Sequence, residues 1–302
     1  MKSRFFSLII ILSGIGANIF AQHDFLESKN AYLGQKPPGD TPEIFAKGLL
    51  ADSGIVLGRV AFSRDGKEFY YGFARHWFDF TGTGVKQIIF DGSKWGHPTI
   101  LANTLSNPTL SIDETQLFFG GQNSDVFQSR RINGGWSVPN LFLDKNYGLY
   151  NFQPTSSGVY YTGSNSNSGS KSDYSTYDFC TLTISGQDTV IKSLGVPLNT
   201  PAFDGDFYVA ADESYMIISA NETKTYECEL YISFRKEDKT WTTPVSLGSK
   251  INNGLAHRFG QFVSPDGKYL FYTRGTGEKD CNFYWVRFDK LLGYLRTAEL
   301  TN

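Results

Sequence analysis

A segment of about twelve residues recurs along the chain, and this internal repeat constrains the fold more than any other feature. The clearest copies are FSRDGKEFYYGF at Phe62–Phe73 and VSPDGKYLFYTR at Val263–Arg274. Weaker copies lie at Leu110–Gly121 and Val209–Ala220, and a shortened copy lies at Pro154–Ser164. Five copies with a period of about 50 residues indicate a fold built from one repeated unit.

Each copy has the composition of a β-hairpin. A short apolar strand leads into a turn, and a strand rich in Phe, Tyr, Leu and Ile returns. Aspartate suits such a turn because its carboxylate accepts hydrogen bonds from nearby backbone, and glycine tolerates positive φ. The turn aspartates are Asp65, Asp113, Asp212 and Asp266. Three of the units continue into the pattern Trp-x-x-Pro, at Trp95, Trp136 and Trp241.

The units therefore predict four antiparallel strands each, and such a sheet buries both faces only by stacking against copies of itself. We expect an all-β, five-bladed β-propeller, with six blades as the alternative. The segment Glu43–Gly54 resembles the outer strands predicted at Asn140–Asn146 and Val245–Asn252. Within it, Ile44–Ala51 is predicted to complete the last blade and so remove a free sheet edge. The tail Asp289–Leu300 is predicted to form a short helix on the outside.

The N-terminus has the pattern of a secretory signal peptide. Lys2 and Arg4 precede an apolar run at Phe5–Phe20, and Ala21 offers a small residue for cleavage. The alternative is a membrane anchor, but the run is shorter than the ~20 residues that span a bilayer. We predict a signal peptide at 1–21, a lead-in segment at 22–42 and one propeller domain at 43–302. The expected location is periplasmic or secreted, and no segment is expected to span a membrane.

Charge and cysteine content exclude some functions. The chain has 28 Lys and Arg against 30 Asp and Glu, without a basic stripe, so no nucleic-acid partner is predicted. The spacings of the three cysteines, Cys180, Cys228 and Cys281, match no zinc pattern. We therefore predict no metal and no cofactor. We interpret the cysteines first as small buried side chains, and a disulfide between two of them in an exported protein is the alternative.

The repeat resembles that of a known family. SPDGKYLFYT, within Val263–Arg274, is similar to the WD-like repeat of TolB-type periplasmic β-propellers. The stretch Tyr32–Leu50 is similar to the lead-in that many exported members carry before the first blade. The resemblance covers nearly the whole mature chain and implies a binding or scaffold module. It does not indicate a ligand, because the motif residues build turns and packing.

A candidate binding site emerges when the hairpins are aligned. The alignment places polar residues at equivalent starts of the innermost strands, and two more just before the fifth strand, so all are expected at one mouth of the channel. These residues are Arg59, Asn107, Asn151, Asp206, His257 and Arg258. Donors and acceptors ringed by aromatic side chains suit a polar small ligand, a carbohydrate or a protein segment. The alternative is that these groups only satisfy the inner-strand backbone and channel water.

An enzymatic function is the alternative to binding. Some five-bladed propellers are glycosidases, and glycoside hydrolysis normally needs two facing carboxylates. Among the predicted innermost strands only Asp206 is acidic, so a pair would need a loop residue such as Asp204. No Gly-x-Ser-x-Gly, HExxH or phosphate-binding loop occurs in a suitable context. We therefore assign no catalytic residue.

A second candidate surface lies in the connection at Phe73–Gly84, which carries His76, Trp77, Phe78 and Phe80. Aromatic side chains in exposed loops often contact partners or sugars. Packing of the same rings over a blade edge is the alternative.

Overall fold

A computed structural model describes residues 25–50, 54–77, 79, 81–166, 170–186 and 188–300 of the 302-residue chain. The predicted signal peptide at 1–21 lies outside these residues. Within them, no helix has both the length and the apolar character needed to cross a membrane.

The described residues form five antiparallel sheets; four are built from consecutive strands, and the fifth joins the last three strands to the first. Blade 1 comprises β2 Ile55–Phe62, β3 Glu68–Ala74, β4 Gly84–Ile89 and β5 Thr99–Asn103, and blade 2 comprises β6 Ser106–Leu110, β7 Gln116–Gly120, β8 Val126–Ile132, the short β9 Gly135–Trp136 and β10 Asn140–Leu143. Blade 3 comprises β11 Tyr150–Pro154, β12 Tyr160–Ser164, β13 Asp178–Ser185 and β14 Asp188–Ser193, and blade 4 comprises β15 Phe207–Val209, β16 Tyr215–Ala220, β17 Glu229–Phe234 and β18 Val245–Ser246. Blade 5 comprises β19 His257–Val263, β20 Tyr269–Gly277, β21 Asp280–Arg287 and β1 Glu43–Ile44. The prediction of a five-bladed β-propeller is confirmed.

In the repeated turns, the aspartate accepts hydrogen bonds from neighbouring residues, as the sequence predicts. Ser63 Oγ donates to Asp65 Oδ1 at 2.7 Å, and the same carboxylate accepts the Lys67 N–H at 3.1 Å. The turns at Asp113 and Asp266 repeat this arrangement. These aspartates therefore hold hairpins together, as the sequence predicts.

The Trp-x-x-Pro segments join neighbouring blades. Trp136 of blade 2 donates its indole N–H to the Tyr70 hydroxyl of blade 1 at 2.9 Å. Trp241 of blade 4 packs edge-on against Tyr161 of blade 3, with ring centroids 6.4 Å apart. Trp95 of blade 1 donates to the Asn30 carbonyl of the lead-in segment at 2.7 Å. The second repeated motif thus contributes contacts between units.

The ring closes through the N-terminal strand, as predicted. In β1, Glu43 and Ile44 pair with Trp285 and Tyr284 of β21, and the Phe45 N–H donates to the Phe283 carbonyl at 2.8 Å. The strand is much shorter than the predicted Ile44–Ala51, and its final predicted residue is outside the described part. Closure thus relies on few ladder bonds and on packing around Phe45.

The lead-in segment also contributes to the core. Leu26, Ala31, Tyr32 and Leu33 are buried in one hydrophobic cluster with aromatic residues of blades 1 and 5. Ala31–Gly34 forms a single turn in which Tyr32 and Leu33 have positive φ. The domain boundary at residue 43 stays a prediction.

The C-terminal segment forms the predicted helix, α1 (Asp289–Leu300). Leu291, Leu292 and Leu295 pack on the cluster of blades 4 and 5. Tyr294 is 71 % exposed and does not contribute to this packing. A 3-10 turn at Tyr174–Thr176 lies in the connection between β12 and β13. Cys180, Cys228 and Cys281 are free and buried, which agrees with the first interpretation of the cysteines.

Candidate functional site

The innermost strands bulge next to the central axis. Register shifts interrupt the pairing of β2, β6, β11 and β19 with their neighbours. The bulged residues with positive φ are Gly58, Asn107, Asn151 and Gly260. A Cβ atom on Gly260 would collide with the Gly58 carbonyl oxygen, so the inner strands of blades 1 and 5 approach at a distance that only glycine permits.

Arg59 crosses the axis of the propeller. It is 1 % exposed, and its guanidinium donates to Thr109 Oγ1 of blade 2 at 3.0 Å and to the Phe207 carbonyl of blade 4 at 2.6 Å. The same carbonyl accepts the Gln153 side-chain amide of blade 3 at 3.0 Å. Burial lowers the pKa of Arg59 to about 10, an effect that Asp206 partly offsets. Arg59 thus connects the inner strands of blades 1, 2 and 4 by hydrogen bonds.

Asp206 is a buried carboxylate beside this arginine. It accepts the Asn151 side-chain amide at 2.7 Å. Burial raises its pKa to about 6, against lowering by the Asn151 hydrogen bond and by Arg59. Glu222, in the loop after β16, interacts electrostatically with Asp206, and burial is the main cause that raises the pKa of Glu222 to about 7. Two interacting carboxyl groups therefore share this end of the channel.

Asp204, the loop carboxylate that the sequence suggested as a partner of Asp206, has a different environment. Its carboxylate accepts the Thr200 N–H at 2.5 Å and faces the Thr200 hydroxyl at 3.2 Å. Burial raises the pKa of Asp204 to about 7, and Asp178 adds to the shift. Glu222, which the sequence analysis did not select, is the acid that interacts with Asp206.

A cavity of about 180 Å³ opens where the inner strands begin. It is lined by three of the residues predicted at this mouth, namely Asn107, Asn151 and His257. The aromatic side chains in its wall are Trp77, Tyr150, Tyr174 and Phe259. Buried polar atoms at or beside it, Asn151 Oδ1 and Arg59 Nε, have no hydrogen-bond partner among the described residues. The cavity thus combines apolar walls with polar atoms able to accept or donate a further bond.

His257 and Arg258 open β19 but face different surroundings. Burial lowers the pKa of His257 to about 4, so its imidazole is neutral at neutral pH. The Arg258 guanidinium donates to five backbone carbonyls, those of Cys228, Ile251, Asn253, Gly254 and Ala256. Arg258 therefore holds the loop before β19, and these bonds occupy its donors.

The predicted partner loop is only partly described, since Phe78 and Phe80 lie outside the described residues. Trp77 is buried against Ile55, Ala74 and Phe259, and its ring meets His257 edge-on at 5.5 Å. His76 is half-buried, and its Nδ1 lies 2.5 Å from the Trp77 carbonyl. Trp77 thus belongs to the wall of the cavity, and a role of this loop in partner contact stays a prediction.

Comparisons with known proteins find similar solved structures but no matching family or curated protein. Solved structures that resemble it include a putative TolB from Agrobacterium tumefaciens, with TM-score 0.47 and 11 % identity over 77 % of this chain and 75 % of that chain. An oligogalacturonate lyase from Vibrio parahaemolyticus has TM-score 0.42 and 14 % identity over 84 % of this chain and 72 % of its own.

A third similar structure is the hydrazine synthase of Kuenenia stuttgartiensis, with TM-score 0.43 and 11 % identity over 77 % of this chain. This chain spans only 59 % of that protein. Membership of the TolB-type family stays a prediction.

Proposed function

We propose that this protein is an exported TolB-type binding propeller that holds a polar small ligand, or a polar side chain of a protein segment, at the channel mouth. The observation that carries the proposal is the cavity at this mouth, where aromatic walls meet buried polar atoms that lack a hydrogen-bond partner within the described part of the chain. Sites of this composition orient a ligand through a few polar contacts while apolar walls exclude water.

The size of the cavity limits the ligand. About 180 Å³ is below the ~300–1,000 Å³ of typical drug-sized sites. Arg59, Gln153 and Gln261 of the innermost strands do not line it and are buried. A single side chain or a molecule of similar size is therefore the expected occupant.

Binding is tested with free amino acids, short peptides and oligosaccharides, screened by thermal unfolding and quantified by calorimetry. Tyr174→Ala removes a half-exposed ring from the wall, and Ser106→Leu fills the cavity. We expect each change to lower the affinity for a bound compound by about tenfold or more, roughly 1.4 kcal/mol, because it removes contact area or space. Tyr294→Ala is the matched control, since that ring is 71 % exposed on α1.

Arg59 is unsuitable as a binding probe because its truncation would leave Thr109 and the Phe207 carbonyl without a charged donor. A compound that binds with equal affinity to the wild-type protein and to both cavity variants would contradict the site assignment.

A carbohydrate-active enzyme is the second candidate, supported by the interaction between Asp206 and Glu222. The pKa values of these carboxyl groups are raised to about 6 and about 7, and glycoside hydrolysis uses one protonated and one ionised carboxyl. Turnover of aryl glycosides that is lost in both Asp206→Asn and Glu222→Gln, and kept in Asp188→Asn, would favour this function. Binding of the same sugars without turnover would favour the first.

A further inference from the structure

Three potential metal ligands meet at the junction of blades 4 and 5. Glu222 lies in the loop after β16, Cys228 immediately precedes β17, and His257 is the first residue of β19. One ligand atom from each side chain lies within 4.8 Å of the other two. Cysteine, histidine and carboxylate are the side chains that bind zinc in proteins.

The imidazole of His257 is held by neighbouring rings, and one of its nitrogen atoms is available to bind a metal. Its Nε2 is buried and has no hydrogen-bond partner among the described residues. The ring is held among three aromatic side chains, Trp77 at 5.5 Å, Tyr226 at 6.1 Å and Phe259 at 4.3 Å between centroids. A buried nitrogen without a partner costs stability unless a ligand satisfies it.

The backbone of Arg258 holds the sulfur atom of Cys228 in place. Its side chain is buried, and its Sγ accepts the Arg258 N–H at 3.2 Å and donates to the Arg258 carbonyl at 3.1 Å. Backbone N–H bonds to sulfur stabilise the ligand in metal sites. The guanidinium of Arg258 donates its hydrogen bonds to loop carbonyls, among them those of Ile251 and Cys228.

We propose that Glu222, Cys228 and His257 form a binding site for a zinc-class divalent cation at the mouth of the channel. Thiolate and imidazole ligands favour Zn²⁺ over Mg²⁺ or Ca²⁺, and three protein ligands leave one tetrahedral position for water or a ligand. Zinc–ligand bonds of ~2.0–2.3 Å require the three atoms to draw together by roughly 1 Å. Binding forms the metal–sulfur bond and releases the Cys228 proton to solvent. This inference is independent of the proposed function.

Metal binding is tested on the full folded protein, freed of metal with a chelator and kept reduced with a non-thiol reductant. Zn²⁺ is titrated in competition with a chromophoric chelator, and Co²⁺ is added separately to detect the ultraviolet charge-transfer band of a cobalt–thiolate bond. We expect one ion per chain and a thiolate band. Cys228→Ser should abolish the band. His257→Gln and Glu222→Gln should each lower the affinity for Zn²⁺ by about tenfold or more.

Matched controls separate this site from adventitious binding. Cys180→Ser, the exposed His97→Gln and the neighbouring Glu227→Gln should bind Zn²⁺ like the wild-type protein. Thermal unfolding without metal checks that each variant folds. Zinc K-edge absorption of the wild-type protein needs no variant and should report one sulfur at about 2.3 Å. Absence of stoichiometric binding, absence of sulfur, or unchanged affinity in Cys228→Ser would overturn the proposal.

Discussion

At the scale of single residues, the channel shows how burial changes the chemistry of a polar side chain. Asp206 is only 4 % exposed, and a buried carboxylate is costly to ionise even beside an arginine. The Asn151 amide and the Arg59 charge offset part of this cost but not all of it, so the pKa of Asp206 remains raised. Ionised Asp206 therefore lowers the stability of the fold at neutral pH.

This reasoning predicts a pH dependence of stability. Between the ordinary pKa of 3.8 and the folded value of about 6, the folded state keeps a proton that the unfolded chain has released. Stability attributable to Asp206 therefore falls as pH rises through this window, by up to roughly 3 kcal/mol, and is level above it. Asp206→Asn should remove this part of the pH dependence of stability.

Urea unfolding of the wild-type protein and of Asp206→Asn, between pH 4 and pH 7.5, measures the difference. Because Asp204 titrates in both proteins, its contribution cancels, and the difference between the two curves reports Asp206 together with its electrostatic coupling to Glu222. Parallel curves would show that the residue ionises normally in the folded protein.

At the scale of elements, the innermost strands are shaped by their bulges. Each bulge uses a residue of positive φ, and two of these are asparagine, which tolerates the left-handed region better than most residues. The bulge in β2 is one residue longer than those in β6, β11 and β19. Its left-handed residue is therefore Gly58, and Arg59, which follows, enters the channel.

A comparison of two glycine substitutions measures how the close approach of the inner strands of blades 1 and 5 affects stability. Gly260 and Gly267 have φ of 63° and 71°, so alanine at either position adopts a strained conformation at a cost of about 1–2 kcal/mol. A Cβ on Gly267 meets no atom within 4 Å, whereas one on Gly260 collides with the backbone of Gly58. Gly260→Ala should therefore cost roughly 1–3 kcal/mol more than Gly267→Ala. Chemical denaturation of both variants gives the comparison, and equal losses would contradict the close approach.

At the scale of the whole molecule, the ring is held closed where the two ends of the chain meet. The short pairing of β1 with β21 supplies few hydrogen bonds, so most of the closing free energy comes from burial. Phe45 is 2 % exposed and packs edge-on against Phe69, Phe271 and Trp285 at centroid distances of 5.0–5.5 Å. One side chain thus joins blades 1 and 5.

Phe45→Ala should reduce the free energy of unfolding by about 3–5 kcal/mol, because it removes a large ring from a packed cluster. Tyr294→Ala, an exposed aromatic truncation, should change it by less than ~0.5 kcal/mol. Denaturant unfolding measures both. A loss in Phe45→Ala as small as in the control would show that closure does not depend on this contact.

The sequence alone determined the architecture of this protein, because the repeat is local. The turn at Asp65 and the second motif at Trp136 depend on residues a few positions apart, and a four-stranded unit that cannot bury its faces alone must stack. The closing strand at Glu43–Ile44 could be predicted for the same reason, since it resembles other outer strands.

Only the tertiary structure decided the composition of the candidate site. Glu222, Cys228 and His257 belong to separate elements, and no periodic signal relates them. The repeat alignment selected Asn107, Asn151 and Asp206 as candidates, but it could not show that Arg258 donates to loop carbonyls or that Arg59 reaches blade 4. Side-chain direction at a bulge and proximity across a ring depend on the packing of all five blades, which no local pattern specifies.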